Sequence, residues 1–331
     1  MKVLFISSGR QGDVNPIVRN QGESLRRAGV ELEYFVVSGR GWKSYVKSIK
    51  PLRRKVREGG YDVIHAHYSW TAYLASIATM GLRVPMVVSL MGNDILDHWW
   101  YPGLARMVAK MKPWRAVIVK SQEMKERVGM VYANVVPNGV NMERFSEKSK
   151  VESQKALGWD TTKKHVLFPA RKEDTRKNWP LAYSAVETLN KRRVNSEELI
   201  VNSGEIELHQ MNGVPNDKTP ILYNAADAVV LPSFYEGSAN AVKEAMACNA
   251  PLVTTDMGDC RERIEGVEGC YVANTYEVEE FAELLGKALA FGGKTKGRER
   301  LLADGIADWQ IAERLIKIYE GVRKQEIGDR R

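Results

Sequence analysis

Short apolar runs alternate with helix-length amphipathic segments along this chain. Val3 to Ser7, Glu31 to Val37, Val63 to Ala66, Met86 to Leu90 and Ala116 to Val119 have the length and β-branched content of parallel strands buried on both faces. The alternation predicts a doubly wound α/β sheet. After Val135 to Asn141 it gives way to a polar stretch, Ser146 to Lys164, which reads as a linker. It restarts at Val166 to Phe168, Leu199 to Val201 and Ala228 to Leu231. A final amphipathic helix is expected over 306–324, where Ile311, Leu315, Ile318 and Val322 recur at helical spacing. A chain of 331 residues exceeds the size at which single cores stop growing, so two domains are expected.

The densest candidate chemistry follows the apolar run ending at Leu231. Pro232 to Met246 reads PSFYEGSANAVKEAM, a turn feeding a helix, with Glu236 in the loop and Glu244 inside the helix. A strand that ends in a turn and opens a helix presents backbone N–H groups and a partial positive charge, a seat for phosphate. Carboxylates on either side accept hydrogen bonds from neutral sugar hydroxyls. In outline this is a nucleotide-sugar site. Two glutamates at this spacing also occur by chance on solvated helix faces, and it is the flanking strand and glycine that favour a site. Upstream, the segment after Phe168 carries Arg171 and Lys177, two cations six residues apart at a strand end. No Asp-x-Asp motif is present to hold a metal, and Cys248, Cys260 and Cys270 lack metal-ligand spacing. No metal site is expected.

Glu236, seven intervening residues and Glu244, continued by Ala245 to Asn249 and Pro251 to Asp259, resemble the signature of the retaining glycosyltransferases of family 4. The resemblance covers nearly the whole chain and is most specific from Arg171 to Asp259. It implies a GT-B fold, two Rossmann-like domains facing one another across a cleft, with the nucleotide-sugar held mainly by the C-terminal one. The implied domains are 1–145, an acceptor domain onto which a terminal helix at about 308–331 packs back, and 146–307, the donor-binding domain. The implied reaction is metal-independent transfer of a sugar, with retention, from a nucleoside diphosphate, UDP or GDP, to an acceptor hydroxyl. Glu236 would hold the donor sugar, Glu244 the ribose, and Arg171 with Lys177 the diphosphate. Gly237, Ser238, Ala239 and Asn240 would supply the rest of the donor contacts. Gly12, in the loop after the first strand, corresponds to the glycine whose missing side chain lets the backbone approach the diphosphate and sugar. One position departs from the pattern: Met91 stands where a histidine usually precedes the glycine, and a thioether cannot replace its hydrogen bonds or charge. Met91 and Asp94 are the candidate contacts to acceptor or sugar. His65 and His67 are expected to be structural.

Charge adds a possible partner to this picture. Residues 1–150 carry 24 Lys and Arg against 12 Asp and Glu, while the remainder carries 25 against 29. The densest basic segment, Arg40 to Arg57, has Trp42, Tyr45, Val46 and Ile49 on one helical stripe. A second cluster joins Trp99, Trp100 and Tyr101 to Arg106, Lys110, Lys112, Trp114 and Arg115. Either stripe could simply pack on the domain core. A basic amphipathic helix with aromatic residues also suits an anionic membrane surface. A carbohydrate or lipid-linked acceptor, in polysaccharide or glycolipid assembly, is the matching expectation, with the chain cytoplasmic and peripheral at the inner membrane face. No zinc-finger, helix-turn-helix or RNA-binding signature supports nucleic acid as a partner. A non-catalytic nucleotide-sugar binding protein and a GT-B-fold sugar-nucleotide epimerase are the alternative readings.

Overall fold

The computed structural model describes residues 1–9, 12–39, 41–111, 113–195 and 204–329. The chain forms two compact units, Met1–Gly139 with Asp308–Arg331, and Val140–Ala307. In the first, strands β1 (Lys2–Gly9), β2 (Glu31–Ser38), β3 (Val63–His67), β4 (Met86–Ser89), β5 (Ala116–Val119) and β6 (Asn134–Val135) alternate with helices. The helices are α1 (Pro16–Arg27), α2 (Trp42–Gly59), α3 (Ser69–Ala78), α4 (Asn93–Leu96), α5 (Tyr101–Lys110) and α6 (Gln122–Val128). The strand order is β2-β1-β3-β4-β5-β6, parallel throughout.

In the second unit the elements are α7 (Lys150–Leu157), β7 (Lys164–Phe168), α8 (Trp179–Asn195), β8 (Ile206–Gln210), α9 (Thr219–Ala225), β9 (Ala228–Leu231) and α10 (Asn240–Ala247). They continue with β10 (Leu252–Thr255), α11 (Cys260–Ile264), β11 (Cys270–Ala273), α12 (Val278–Phe291) and α13 (Gly297–Ala303). Its sheet runs β11-β10-β9-β7-β8, again parallel. Helix α14 (Asp308–Gly328) closes the chain and belongs to the first unit, where Ile311, Leu315, Tyr319 and Val322 share a core with Val3, Phe5 and Leu25.

Period-two burial explains the sheets. Val166 and Phe168 of β7, with Val230 of β9, enter one core, and Leu167, Val229 and Leu231 enter the core on the other face. In both units the first strand lies between the second and the third, so the order reverses beside it. Ligands of such open sheets bind at that reversal, outside the carboxyl ends of the strands. In the second unit those ends are β7 and β9, and the loops leaving them carry Arg171, Lys177 and Glu236.

Several expectations are corrected. The stretch 146–164 is not a linker: Lys150–Leu157 is helical, capped by Ser149, and Lys164 already pairs in β7. The units divide after Gly139 rather than after 145, because Val140, Met142 and Phe145 are buried in the second unit's core. The segment Leu199 to Val201 lies outside the described residues, and the edge strand beside β7 is Ile206–Gln210. On α2 the buried positions are Leu52 and Val56, whereas Trp42 and Val46 are exposed.

Candidate functional site

Lys177 ends a short 3-10 turn, Thr175–Lys177, that Asp174 caps through its carboxylate. The same carboxylate takes Arg176 Nε at 3.1 Å and Nη2 at 2.9 Å, so Arg176 is bound within the turn. Asn178, at φ 55°, closes it in a conformation that asparagine tolerates better than most side chains. The turn is joined to the loop after β9 by Phe234 N–H donating to the Arg176 carbonyl at 2.9 Å. Lys177 Nζ reaches Glu236 in an ion pair, with the two side chains only 18% and 16% exposed. The two loops after neighbouring strands thus present one cation and one carboxylate together. Arg171 is exposed and has no ion-pair partner among the described residues.

Gly258 explains how the Glu236 loop can lie so low. A Cβ there would sit 2.8 Å from the Glu236 carbonyl oxygen and 3.0 Å from that of Gly237, and its φ is +58°. Gly237, Ser238 and Ala239 are buried, and no side chain caps α10 at Ala239. Asn240 begins the helix. The Ser238 hydroxyl has its proton committed: it donates to Asp259 Oδ2 at 2.9 Å and accepts from Lys243 Nζ at 3.0 Å. Asp259 also takes Arg263 Nε at 3.1 Å, and Arg263 in turn reaches Asp304 at 3.0 Å. The donor that Ser238 offers an anionic ligand is therefore its backbone N–H rather than its hydroxyl. Burial pulls the Lys243 ammonium down to about 8, against the attraction of Asp259.

Glu244 points from α10 to Tyr223, whose hydroxyl donates to its Oε2 at 2.7 Å. Burial raises the Glu244 carboxyl above its usual range, opposed by that hydrogen bond and by Arg144, Lys243 and Lys177. Its Oε1 has no protein partner among the described residues. Lys177, the partner of Glu236, is thus also one of the cations that act on Glu244. The pattern of the sequence did not single out Tyr223, Arg144 or the Lys243–Asp259–Arg263 network. Lys243, a basic residue on the buried side of an apolar helix, was the available signal for the last of these.

The remaining candidates belong to the first unit. Gly12 is exposed at φ +87°, in a loop that returns onto β1 so closely that a Cβ on Gly9 would meet the Asp13 carbonyl oxygen at 1.8 Å. Asp94, the candidate contact to acceptor or sugar, lies in the first turn of α4. It is buried, its Oδ1 accepts from the Met91 and Gly92 amides at 2.9 Å, and its Oδ2 accepts from Ser69 N–H at 2.8 Å. The carboxylate shapes the loop and leaves Met91, half-buried, as the side chain at its turn. His65 is a structural histidine held by Tyr319 at 2.6 Å and Ser89 at 2.8 Å, and burial drives it toward the neutral form. His67 stacks on His65, and among the described residues neither ring nitrogen has a hydrogen-bond partner, so the ring is buried without being satisfied.

Residues 8–144 match the family model "Glycosyltransferase Family 4" and residues 163–290 match "Glycosyl transferases group 1". The chain is 24% identical over 325 residues to a D-inositol 3-phosphate glycosyltransferase of Pseudarthrobacter chlorophenolicus, covering 76% of each chain. It is 27% identical over 273 residues to the putative teichuronic acid biosynthesis glycosyltransferase TuaC of Bacillus subtilis, covering 73% of this chain and 69% of that one. Among solved structures, sucrose-phosphate synthase from Thermosynechococcus elongatus superposes with a TM-score of 0.71 at 17% identity, over 97% of this chain and 98% of that one. Anabaena HepE in complex with UDP gives 0.72 at 16% identity, over 97% and 100%. At these identities the structures speak for the fold.

Proposed function

We propose that this chain, which belongs to glycosyltransferase family 4 and has its GT-B fold, is a retaining enzyme that needs no metal to discharge its nucleotide. The observation that carries the reading is the Lys177–Glu236 pair at the reversal of the second sheet, with Glu244 in the same field. Cleavage of the sugar–phosphate bond sends its electron pair to the leaving diphosphate, where negative charge accumulates. Lys177 and Arg171 are cations on the loop that would meet it, and the first amides of α10 add a partial positive charge. Glu236 would accept from the sugar hydroxyls and Glu244 Oε1 from the ribose. The acceptor oxygen bonds to the anomeric carbon on the face the diphosphate leaves, and its proton passes to a diphosphate oxygen. No side chain need act as nucleophile.

UDP is the first donor nucleotide to test, since HepE of like fold binds UDP. Thermal shift with UDP-, GDP-, ADP- and CDP-sugars should single out one conjugate. A nucleotide at ~100 times its dissociation constant stabilises by ~2.7 kcal/mol, a rise of a few degrees for a chain of this size. Proton NMR of the product formed from that donor then reads the anomeric configuration directly. Inversion would sink the retaining mechanism, and binding without transfer to any acceptor would favour a nucleotide-sugar binding protein.

The acceptor side of the proposal is a carbohydrate or lipid-linked hydroxyl at an anionic membrane surface. No helix among the described residues is long and apolar enough to cross a membrane. Trp99, Trp100, Met107 and Met111 are exposed around α5, close in sequence to Arg106 and Lys110, and Trp42 and Val46 are exposed among Lys43, Lys47 and Lys50. A cavity of about 620 Å³ in the first unit is lined by Ile77, Met80, Val108 and Met111. Each basic residue near anionic headgroups contributes ~1 kcal/mol. Flotation should recover the chain with phosphatidylglycerol vesicles and not with phosphatidylcholine vesicles, and should weaken at high salt. Equal recovery with both would remove the anionic surface as partner.

A further inference from the structure

We propose that His165, Glu207 and His209 form a binding site for a zinc-class divalent ion, at the edge of the second sheet and apart from the loops that carry the transfer chemistry. Glu207 and His209 are two residues apart on the edge strand β8, hence on one face, and His165 lies beside Glu207 on β7. Their donor atoms all lie within 4.8 Å of one another. His165 Nδ1 is 2.9 Å from His209 Nε2, and Glu207 Oε2 is 3.8 Å from each of those nitrogens.

The surrounding groups orient these atoms as ligands. His165 Nε2 lies 2.8 Å from the Asp160 carbonyl oxygen, which can only accept. The ring proton is therefore on Nε2, and the Nδ1 lone pair faces His209 and Glu207. A backbone carbonyl behind a ligating histidine is the usual device for fixing its tautomer. Lys163 Nζ takes Glu207 Oε1 at 2.6 Å and leaves Oε2 toward the histidines. Trp159 stacks on His209, with centroids 3.8 Å apart and planes 11° from parallel, which sets that ring's plane and dries one side of the site. His165 is fully buried, whereas His209 and Glu207 are 23% and 35% exposed, so an ion has an entry path and room for a water as fourth ligand.

A tetrahedral ion with ligands at ~2.0–2.1 Å sets their donor atoms ~3.3 Å apart. The two nitrogens need only separate, and the carboxylate approach, by roughly half an ångström each, within the reach of side-chain rotation. Without an ion, His209 Nε2–H donates to His165 Nδ1. On binding, the His209 proton moves to its Nδ1 through solvent, so the metallated pair remains neutral and no net proton is released. Two nitrogens and one oxygen with an open position suit zinc, and disfavour magnesium, which prefers six oxygens. The ion would tie the edge strand to β7, the strand from whose other end the Arg171–Lys177 loop departs.

The test is a competition titration of the untagged full chain, stripped with EDTA, in which Zn²⁺ is partitioned between the protein and a chromogenic chelator. One ion per chain with micromolar affinity or tighter is expected, with Mg²⁺ failing to compete. Co²⁺ should give the visible absorption of a tetrahedral site. Glu207→Gln and His209→Phe, the latter keeping an aromatic ring on Trp159, should each weaken Zn²⁺ at least tenfold, and the rise in melting temperature on adding Zn²⁺ should disappear. Glu207 is a partly exposed residue whose replacement should leave the metal-free melting temperature near that of the wild type, so the comparison does not depend on His209. Failure of the wild type to retain Zn²⁺, or retention of one ion with unchanged affinity in both variants, would overturn the proposal.

Discussion

Replacing Lys177 with alanine should lower kcat for sugar transfer by about 10²–10³-fold, the loss seen when a preorganised electrostatic group is removed from a site of developing charge. The geometry makes the expectation specific. Lys177 is held by a turn that is capped at Asp174 and tethered to the facing loop, so its ammonium need not be ordered when the donor arrives. Glu236→Gln should cost turnover to a similar degree, because its carboxylate both orients Lys177 and would accept from the donor sugar. The double variant should fall little below either single one, since the two side chains act as a coupled pair. Additive losses would show that the residues act independently. A change in kcat below about threefold for Lys177→Ala would remove the residue from the transfer step. Melting temperatures must accompany the rates, because a mostly buried ion pair broken on one side leaves a charge without its partner.

Glu244→Ala should act on binding rather than on turnover. Loss of a hydrogen bond to a charged acceptor amounts to ~1.5–3 kcal/mol, so the donor KM should rise roughly 10–100-fold while kcat moves much less. The decisive comparison uses free nucleoside diphosphate as an inhibitor. Its inhibition constant should weaken by the same factor in Glu244→Ala, because the proposed ribose contact belongs to the nucleotide half of the donor. It should be nearly unchanged in Glu236→Gln, whose proposed contact is to the sugar. The opposite pattern would exchange the two roles. Tyr223→Phe is the accompanying control: it removes the hydroxyl that occupies Glu244 Oε2 and should alter nucleotide affinity less than loss of the carboxylate itself.

The site was legible in proportion to how local its logic is. A turn between an apolar strand and a helix, with glutamates in loop and helix, is a pattern of neighbours in the chain, and the second unit builds it as β9, the Glu236 loop and α10. The cation segment after Phe168 was legible for the same reason. Asp94 was less legible, because its hydrogen bond from the Ser69 amide, 25 residues away, is a product of the fold. A carboxylate near a candidate loop looks the same in sequence whether it faces a ligand or the backbone. The stretch 146–164 was misread as a linker because polarity marks exposure and not irregularity. Helix α7 is polar on most sides and buries Ser153 and Gln154, with Gln154 donating to the Ala225 carbonyl at 3.0 Å. The strand Ile206–Gln210 was missed because an edge strand that is only partly buried, and carries Glu207, His209 and Gln210 among its five residues, lacks the continuous apolar run of its central neighbours.

The sequence by itself determined the alternation of strands and helices, the two-unit organisation, the family and the residue types available for binding a nucleotide-sugar. These follow from hydrophobic period and local turn chemistry, which act over a few residues. Only the tertiary structure decided that Lys177 meets Glu236 across 59 positions of chain, that the Ser238 hydroxyl is turned inward to Asp259, and that His165 meets Glu207 and His209. Those pairings depend on strand order and register. β7 lies between β8 and β9 because parallel strands require long crossovers, and which strand ends up beside which is settled by burying both faces of the sheet at once.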